Sequence, residues 1–269
     1  MPAPTPAAIG VIGGSGLYAF LDDAEEVVVE TPYGAPSDPI VVGDVRGRRV
    51  AFVPRHGRDH RHPPHRIPYR ANLWALRSLG VRQVLAPCAV GGLRPELGPG
   101  ALVLPDQLVD RTSGRVQTFH DDGAAHVSFA DPYCPTGRRV AAECARAVDW
   151  EVTDRATMVV IEGPRFSTRA ESQWFAAQGW SLVNMTGHPE AVLARELALC
   201  YTAIALVTDL DAGVEGGEPV TQDEVFRFFG ANTARLRALL YDVVAALPAE
   251  QDCSCAAALD GIDHRLELP

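Results

Sequence analysis

The apolar run Ala203–Val207 is followed at once by Thr208-Asp209-Leu210-Asp211. Two carboxylates at i and i+2 just past a buried strand can both face one cleft if the chain turns there. In isolation Asp209 and Asp211 read better as ordinary turn residues. Arg55-His56-Gly57 follows the run Val50–Val53 in the same way, and an arginine fork beside an imidazole suits a divalent anion. His60, His62 and His65 come next, among Arg58, Arg61 and Arg66. A metal cluster is disfavoured here because Pro63-Pro64 breaks regular spacing and Asp59 is the sole carboxylate within the stretch; a basic loop beside an anion pocket fits better. Two glycine turns, Gly13-Gly14-Ser15-Gly16 and Cys88-Ala89-Val90-Gly91-Gly92, also end apolar runs and let backbone N–H groups approach an anion. Gly14–Ala19 also matches the GxGxxA dinucleotide fingerprint, but Asp22, Asp23 and the strand-like Val27–Val29 arrive too soon for the helix that fingerprint requires.

Composition limits the chemistry further. The formal charge is −10, which argues against a nucleic-acid backbone as partner. All 24 basic residues are arginine. A Schiff-base lysine and a Walker-type phosphate loop are therefore excluded. Phosphate, if handled, must be met by Arg, His, hydroxyls and backbone N–H groups. Six cysteines include no CxxC pair; Cys134, Cys144 and Cys200 read as core fillers. Cys253-Ser254-Cys255 offers two ligands, too few for a structural zinc site, and no metal is expected; two free thiols are expected there. Met1–Pro6 has no basic n-region and no apolar run is long enough to span a membrane, so a cytoplasmic location is expected.

These motifs need a scaffold that brings strand ends together. Short apolar runs recur at Ile9–Ile12, Val27–Val29, Ile40–Val42, Val50–Val53, Val84–Ala86, Ala101–Leu104, Met158–Ile161, Leu182–Val183 and Ala203–Val207. Several are nearly all apolar, as in strands covered on both faces. Helical patterns alternate with them at Tyr69–Leu79, Thr136–Val148, Thr168–Gln178 and Pro189–Leu199, and the capping box Thr221–Glu224 opens a helix to about Leu247. The alternation predicts an α/β fold, one domain with a central sheet flanked by helices, over residues 1–250. Residues 251–269 read as a C-terminal tail. Ligands in such folds collect at the carboxyl ends of strands, where the motifs lie.

In this order the motifs resemble the methylthioadenosine phosphorylase branch of the purine nucleoside phosphorylases. The resemblance runs from Val11–Leu17 through Arg55–Gly57, Tyr69–Leu76, Asp131–Pro135, Glu162–Glu171 and Asn184–Thr186 to Thr208–Asp211, nearly the whole chain. It implies the mixed sheet of that fold and phosphorolysis of 5′-methylthioadenosine, or a close 5′-substituted adenosine, with phosphate as co-substrate and no cofactor. Phosphate would be held by Ser15, Arg55, His56, Cys88, Ala89 and Thr186. Cys88 replaces a hydroxyl residue of the methylthioadenosine members, so its side-chain donor is weaker. Met185 would lie under the ribose, and Phe166 and Ser167 beside the purine. His126 and Val225 would line the 5′ end. Asp209 would protonate the leaving base, and Asp211, with Leu210 between them, would help select a 6-amino purine. Gln222 stands where methylthio-specific members carry an apolar residue. Homotrimers, in some members doubled to hexamers, are implied as well. The alternatives are a phosphorylase acting on 6-oxopurines or with broad 5′ specificity, an NAD-dependent oxidoreductase and a non-catalytic nucleoside-binding protein.

Overall fold

The structure, a computed structural model, describes residues 7–269 apart from 15–16, 18–19, 22–23, 124, 215–219 and 264–265. In chain order the first half comprises β1 (Ile9–Gly13), β2 (Glu25–Val27), β3 (Ile40–Val45), β4 (Arg48–Pro54), α1 (Tyr69–Ser78), β5 (Gln83–Gly92), β6 (Leu102–Val103) and β7 (Gln107–Arg111). There follow α2 (Pro135–Ala147), β8 (Val152–Thr153), β9 (Thr157–Ile161), α3 (Arg169–Ala177), β10 (Leu182–Asn184), α4 (Gly187–Glu196), β11 (Cys200–Leu210) and α5 (Gln222–Ala246). The expected α/β architecture is present as one mixed sheet with helices packed on it.

β5 is the spine of that sheet. One edge pairs along its whole length with parallel β11, from Cys200 beside Gln83 to Leu210 beside Gly92. Its other edge is shared. Parallel β1 occupies Gln83–Leu85, and antiparallel β10 returns at Gly91–Gly92. Residues 86–90 are left between them, and this interruption positions the site. The outer strands extend the sheet through β1–β4–β3–β2 on one side and β10–β9–β7 on the other.

Helix starts follow local chemistry. Thr168 caps α3 in a full capping box with Glu171, and Thr221 accepts from Glu224 N–H at the start of α5. His188 (φ −119°, ψ 133°) breaks the first turn of α4, so its regular helix runs from Pro189. The strands β7 and β8 escape apolar-run counting. β8 is two residues long, and β7 (QLVDR) is an edge strand with only partly buried side chains.

Residues beyond 250 dock against the sheet. Gln251 donates to the carbonyls of Arg82 and Ala198, and Leu266 and Leu268 pack on the main core. Among the described residues, no helix is long and apolar enough to cross a membrane.

Candidate active site

A cleft opens where β5 lies uncovered between β1 and β10. Its floor is Cys88, Ala89, Val90 and Gly91, and Gly14, Arg55, His56, Asn184, Met185, Thr186, Thr208, Asp209 and Asp211 converge on it from other strand ends. Consecutive strand residues present their backbone groups to opposite edges. The Pro87 carbonyl accepts from Arg55 and the Ala89 carbonyl from Asn184, so residues 87 and 89 face the uncovered edge. The Ala89 N–H therefore points the same way, into the space beside Gly14 and Arg55. Ala89 is partly exposed although its neighbours are buried.

Arg55 is 1% exposed and heavily committed. Its Nε and Nη2 form a bidentate pair with Glu190 at 2.7 and 2.9 Å. Nη2 also donates to the Ile12 carbonyl, and Nη1 to that of Pro87. A guanidinium has five N–H groups. Among the described residues four are used, and the fifth is on Nη1, the atom that a Cβ on Gly14 would meet at 3.5 Å. Burial opposes the Arg55 charge, and the Glu190 carboxylate more than offsets it. The Tyr201 hydroxyl also donates to Glu190 at 2.8 Å. Arg55 is thus a structural cation that retains one donor for a ligand.

His56 is neutral at physiological pH, because burial lowers its pKa to about 3. Its Nδ1 lies 2.9 Å from the His62 carbonyl, which fixes the tautomer with hydrogen on Nδ1 and leaves Nε2 as an acceptor. His60 stacks on His56 at 4.5 Å between centroids and meets the edge of Phe226. The histidine-rich loop is ordered by turns, including Gly57 N–H to Pro54 and His62 N–H to His56.

Asn184 joins two walls of the cleft. Its Oδ1 accepts from the N–H groups of Thr186 and Gly187 at 2.8 and 2.7 Å, while its Nδ2 holds the Ala89 carbonyl. Arg115 is equally central. It donates to the carbonyls of Met185, His188 and Glu162 and pairs with the Glu162 carboxylate, pinning the segments on either side of Met185. Neither residue, nor Glu190 with Tyr201, was picked out from the sequence. Asn184 opens the Asn184–Thr186 motif, but Arg115 lies in a loop with no periodic or motif signal.

The carboxylates occupy the opposite wall. A register shift in the β11–β5 pairing between Val207 and Asp209 turns the end of β11 toward the cleft. Asp209 is raised to about 6, first by burial and further by Asp211 and Glu224, against a 2.7 Å hydrogen bond from Thr208. Asp211 is also raised by burial, opposed by the Ser167 and Ser172 hydroxyls that face it. Phe166, Ser167, Gln222, Val225, Phe226 and Phe229 close the cleft on its apolar side. Leu210 faces a neighbouring pocket with Val220 and Phe228. His126 is exposed and outside the cleft of this single chain, whereas nearby Phe129 packs on the core. Ser15 lies outside the described residues.

This geometry can hold an anion beside Gly14, Arg55 and Thr186, a flat apolar group over Met185 and Phe166, and a proton on Asp209. A profile described as the phosphorylase superfamily matches residues 8–245. The chain is 65% identical to a purine nucleoside phosphorylase of Streptomyces coelicolor, covering 98% of each chain. It is 59% identical to an S-methyl-5′-thioadenosine phosphorylase of Mycolicibacterium smegmatis, covering 97% of this chain and 99% of that one. A crystal structure of a methylthioadenosine phosphorylase from an antarctic soil metagenomic library superposes with a TM-score of 0.89 at 42% identity, covering 96% of this chain and 93% of that one. The Schistosoma mansoni methylthioadenosine phosphorylase solved with adenine gives 0.87 at 37% identity, over 91% and 93%.

Proposed function

This chain belongs to the phosphorylase superfamily, and from that premise we propose that it cleaves 5′-methylthioadenosine with inorganic phosphate, releasing adenine and a 5-methylthioribose 1-phosphate. The observation that carries the reading is the pairing of Asp209, a carboxyl whose pKa burial raises to about 6, with an anion pocket across one cleft. Breaking the N-glycosidic bond leaves positive charge on the ribose and negative charge on the departing purine. Phosphate beneath the sugar stabilises the first and then attacks C1′, as in other oxocarbenium-like reactions. A proton delivered from Asp209 to N7 neutralises the second.

Phosphate sits against the Ala89 N–H, the Thr186 hydroxyl, the remaining Nη1–H of Arg55 and, by the resemblance, Ser15. His56, with Nε2 unprotonated, accepts the hydrogen of a protonated phosphate oxygen. Cys88 packs below and its thiol, pushed up to about 12 by burial, stays neutral. Met185 underlies the ribose, Phe166 and Ser167 flank the base, and Asp211 accepts from a 6-amino group. Gln222 and Val225 lie at the 5′ end. The reaction as written requires no metal or organic cofactor, and the protein acts in the cytoplasm.

Base selection supplies the test. A carboxyl oxygen of Asp211 can accept from the 6-amino group of adenine, whereas the 6-oxo group of hypoxanthine offers it no hydrogen, and such a mismatch at a buried polar site is strongly discriminating. Phosphorolysis of 5′-methylthioadenosine should exceed that of inosine by at least two orders of magnitude in kcat/KM. Equal rates on both would reassign the protein to the 6-oxopurine enzymes, the name its Streptomyces relative leaves open.

Assembly is the second test. His126 lies away from its own cleft, on a segment anchored by Phe129, so it reaches a sugar site only if that site belongs to a neighbouring subunit. A homotrimer of cyclic symmetry is expected. Light scattering should give about three times the 28.9 kDa chain mass. A fully active monomer at micromolar concentration would refute this.

A further inference from the structure

The sequence shows two cysteines close together, and the fold adds two more. Cys134 is the N-cap of α2, Cys200 is the first residue of β11, and Cys253 and Cys255 come from the docked C-terminal segment. Their four sulfurs all lie within 4.8 Å of one another. Cys253 Sγ is 3.6 Å from that of Cys134 and 3.3 Å from that of Cys200. A tetrahedral zinc tetrathiolate with Zn–S bonds of about 2.3 Å has sulfur–sulfur edges of about 3.8 Å. These two spacings are about 0.2 and 0.5 Å shorter than that edge, and all four sulfurs stay within 4.8 Å, so small side-chain adjustments would bring them to the edge of a tetrathiolate.

The surroundings also suit ligands better than core filling. Cysteines used as small hydrophobes merge into aliphatic packing. These four instead form a cluster of their own, separate from the three apolar cores. Two sulfurs already accept N–H hydrogen bonds, Cys134 from Gly137 at 3.4 Å and Cys200 from the Gln251 side chain at 3.3 Å. Such outer bonds orient thiolate ligands around a metal. The N-terminus of α2, a helix of 13 residues, faces Cys134 with its positive dipole end and favours a thiolate there.

We propose that Cys134, Cys200, Cys253 and Cys255 bind one zinc ion as a structural tetrathiolate site that fastens the C-terminal segment to the start of β11 and α2. With four protein ligands the coordination is closed, so the ion holds the fold and takes no part in turnover. Its location agrees. Cys200 and Asp209 are nine residues apart along one strand, about 30 Å. Cys88 and Cys144 stand outside the cluster.

The test is metal analysis of the full-length protein produced with zinc and purified anaerobically without chelator. One zinc per chain is expected. Cobalt supplied to chelator-treated protein should give the sulfur-to-metal charge-transfer absorption of a tetrathiolate. C253S/C255S should lose zinc at least tenfold and melt at a lower temperature with kcat unchanged, whereas C144S should retain it. The single variant C253S, expected to weaken retention on dialysis against chelator, covers failure of the double variant to fold. Wild-type protein with less than about a tenth of an equivalent of metal would overturn the proposal, whether unfolding released six free thiols or two thiols and two disulfides. So would full zinc content in C253S/C255S. None of these outcomes touches the assignment of the cleft, which is read from phosphorolysis alone.

Discussion

Asp209→Ala is expected to lower kcat for 5′-methylthioadenosine by about 10²- to 10⁴-fold, the range for removing a positioned general acid. Saturating phosphate should not restore it, because the loss falls on the leaving group. The pH dependence identifies the proton. Burial raises Asp209 to about 6, far above an ordinary aspartate. The active form is protonated, so kcat/KM should be highest below that value and fall about tenfold per pH unit above it. Phosphate itself titrates in the same region, and Asp209→Asn separates the two effects. An asparagine amide can still donate to N7 but does not titrate. That variant should keep more rate than the alanine variant and lose the part of the alkaline fall that belongs to Asp209. Thr208→Val removes the hydrogen bond that stabilises the carboxylate and should move the fall to higher pH. Near-normal turnover in Asp209→Ala would sink the assignment of the proton donor.

The parts of this site that were legible in the sequence share a cause. Arg55, Thr186 and Asp209 each follow an apolar run, and a chain that buries a strand on both faces must release polar residues at its end. Periodicity therefore placed them at one side of a sheet before any pairing was known. It could not supply the pairing. The interruption between β1 and β10 along β5, which exposes the Ala89 N–H, arises from a strand that returns antiparallel over two residues. No local signal in Leu182–Asn184 carries that direction. Arg115 and the Arg55–Glu190 pair carry no local signal, because the carbonyls Arg115 holds are 47 to 73 residues away and Arg55 is 135 residues from Glu190, and a lone charge has no period. The cysteines show the same limit. Cys253-Ser254-Cys255 was visible as a pair, but Cys134 and Cys200 join it through the docking of residues after 250.

The second large effect is expected at Arg55, on stability as well as on phosphate. Arg55→Ala leaves the Glu190 carboxylate, 2% exposed, with Tyr201 as its remaining side-chain donor. Breaking a buried pair from one side costs about 3–5 kcal/mol. For a domain of this size that is a fall of roughly 10 °C in melting temperature. The loss also frees the carbonyls of Ile12 and Pro87, which Arg55 ties together across the floor of the cleft. A raised KM for phosphate in this variant alone would therefore not distinguish a lost ligand from a collapsed pocket. Arg55→Met combined with Glu190→Gln makes the distinction. It removes both charges together and fills much of the volume, and replacing a whole buried pair is often close to neutral. The double variant should recover most of the melting temperature. Its KM for phosphate should stay at least tenfold above that of the parent, because the Nη1 donor beside Gly14 is still missing. KM for the nucleoside at saturating phosphate should change far less. Differential scanning calorimetry reads the melting temperature, and initial rates at varied phosphate and varied nucleoside read the two KM values. Recovery of stability together with a normal phosphate KM would leave Arg55 as a purely structural residue and transfer the anion to the Ala89 N–H and Thr186.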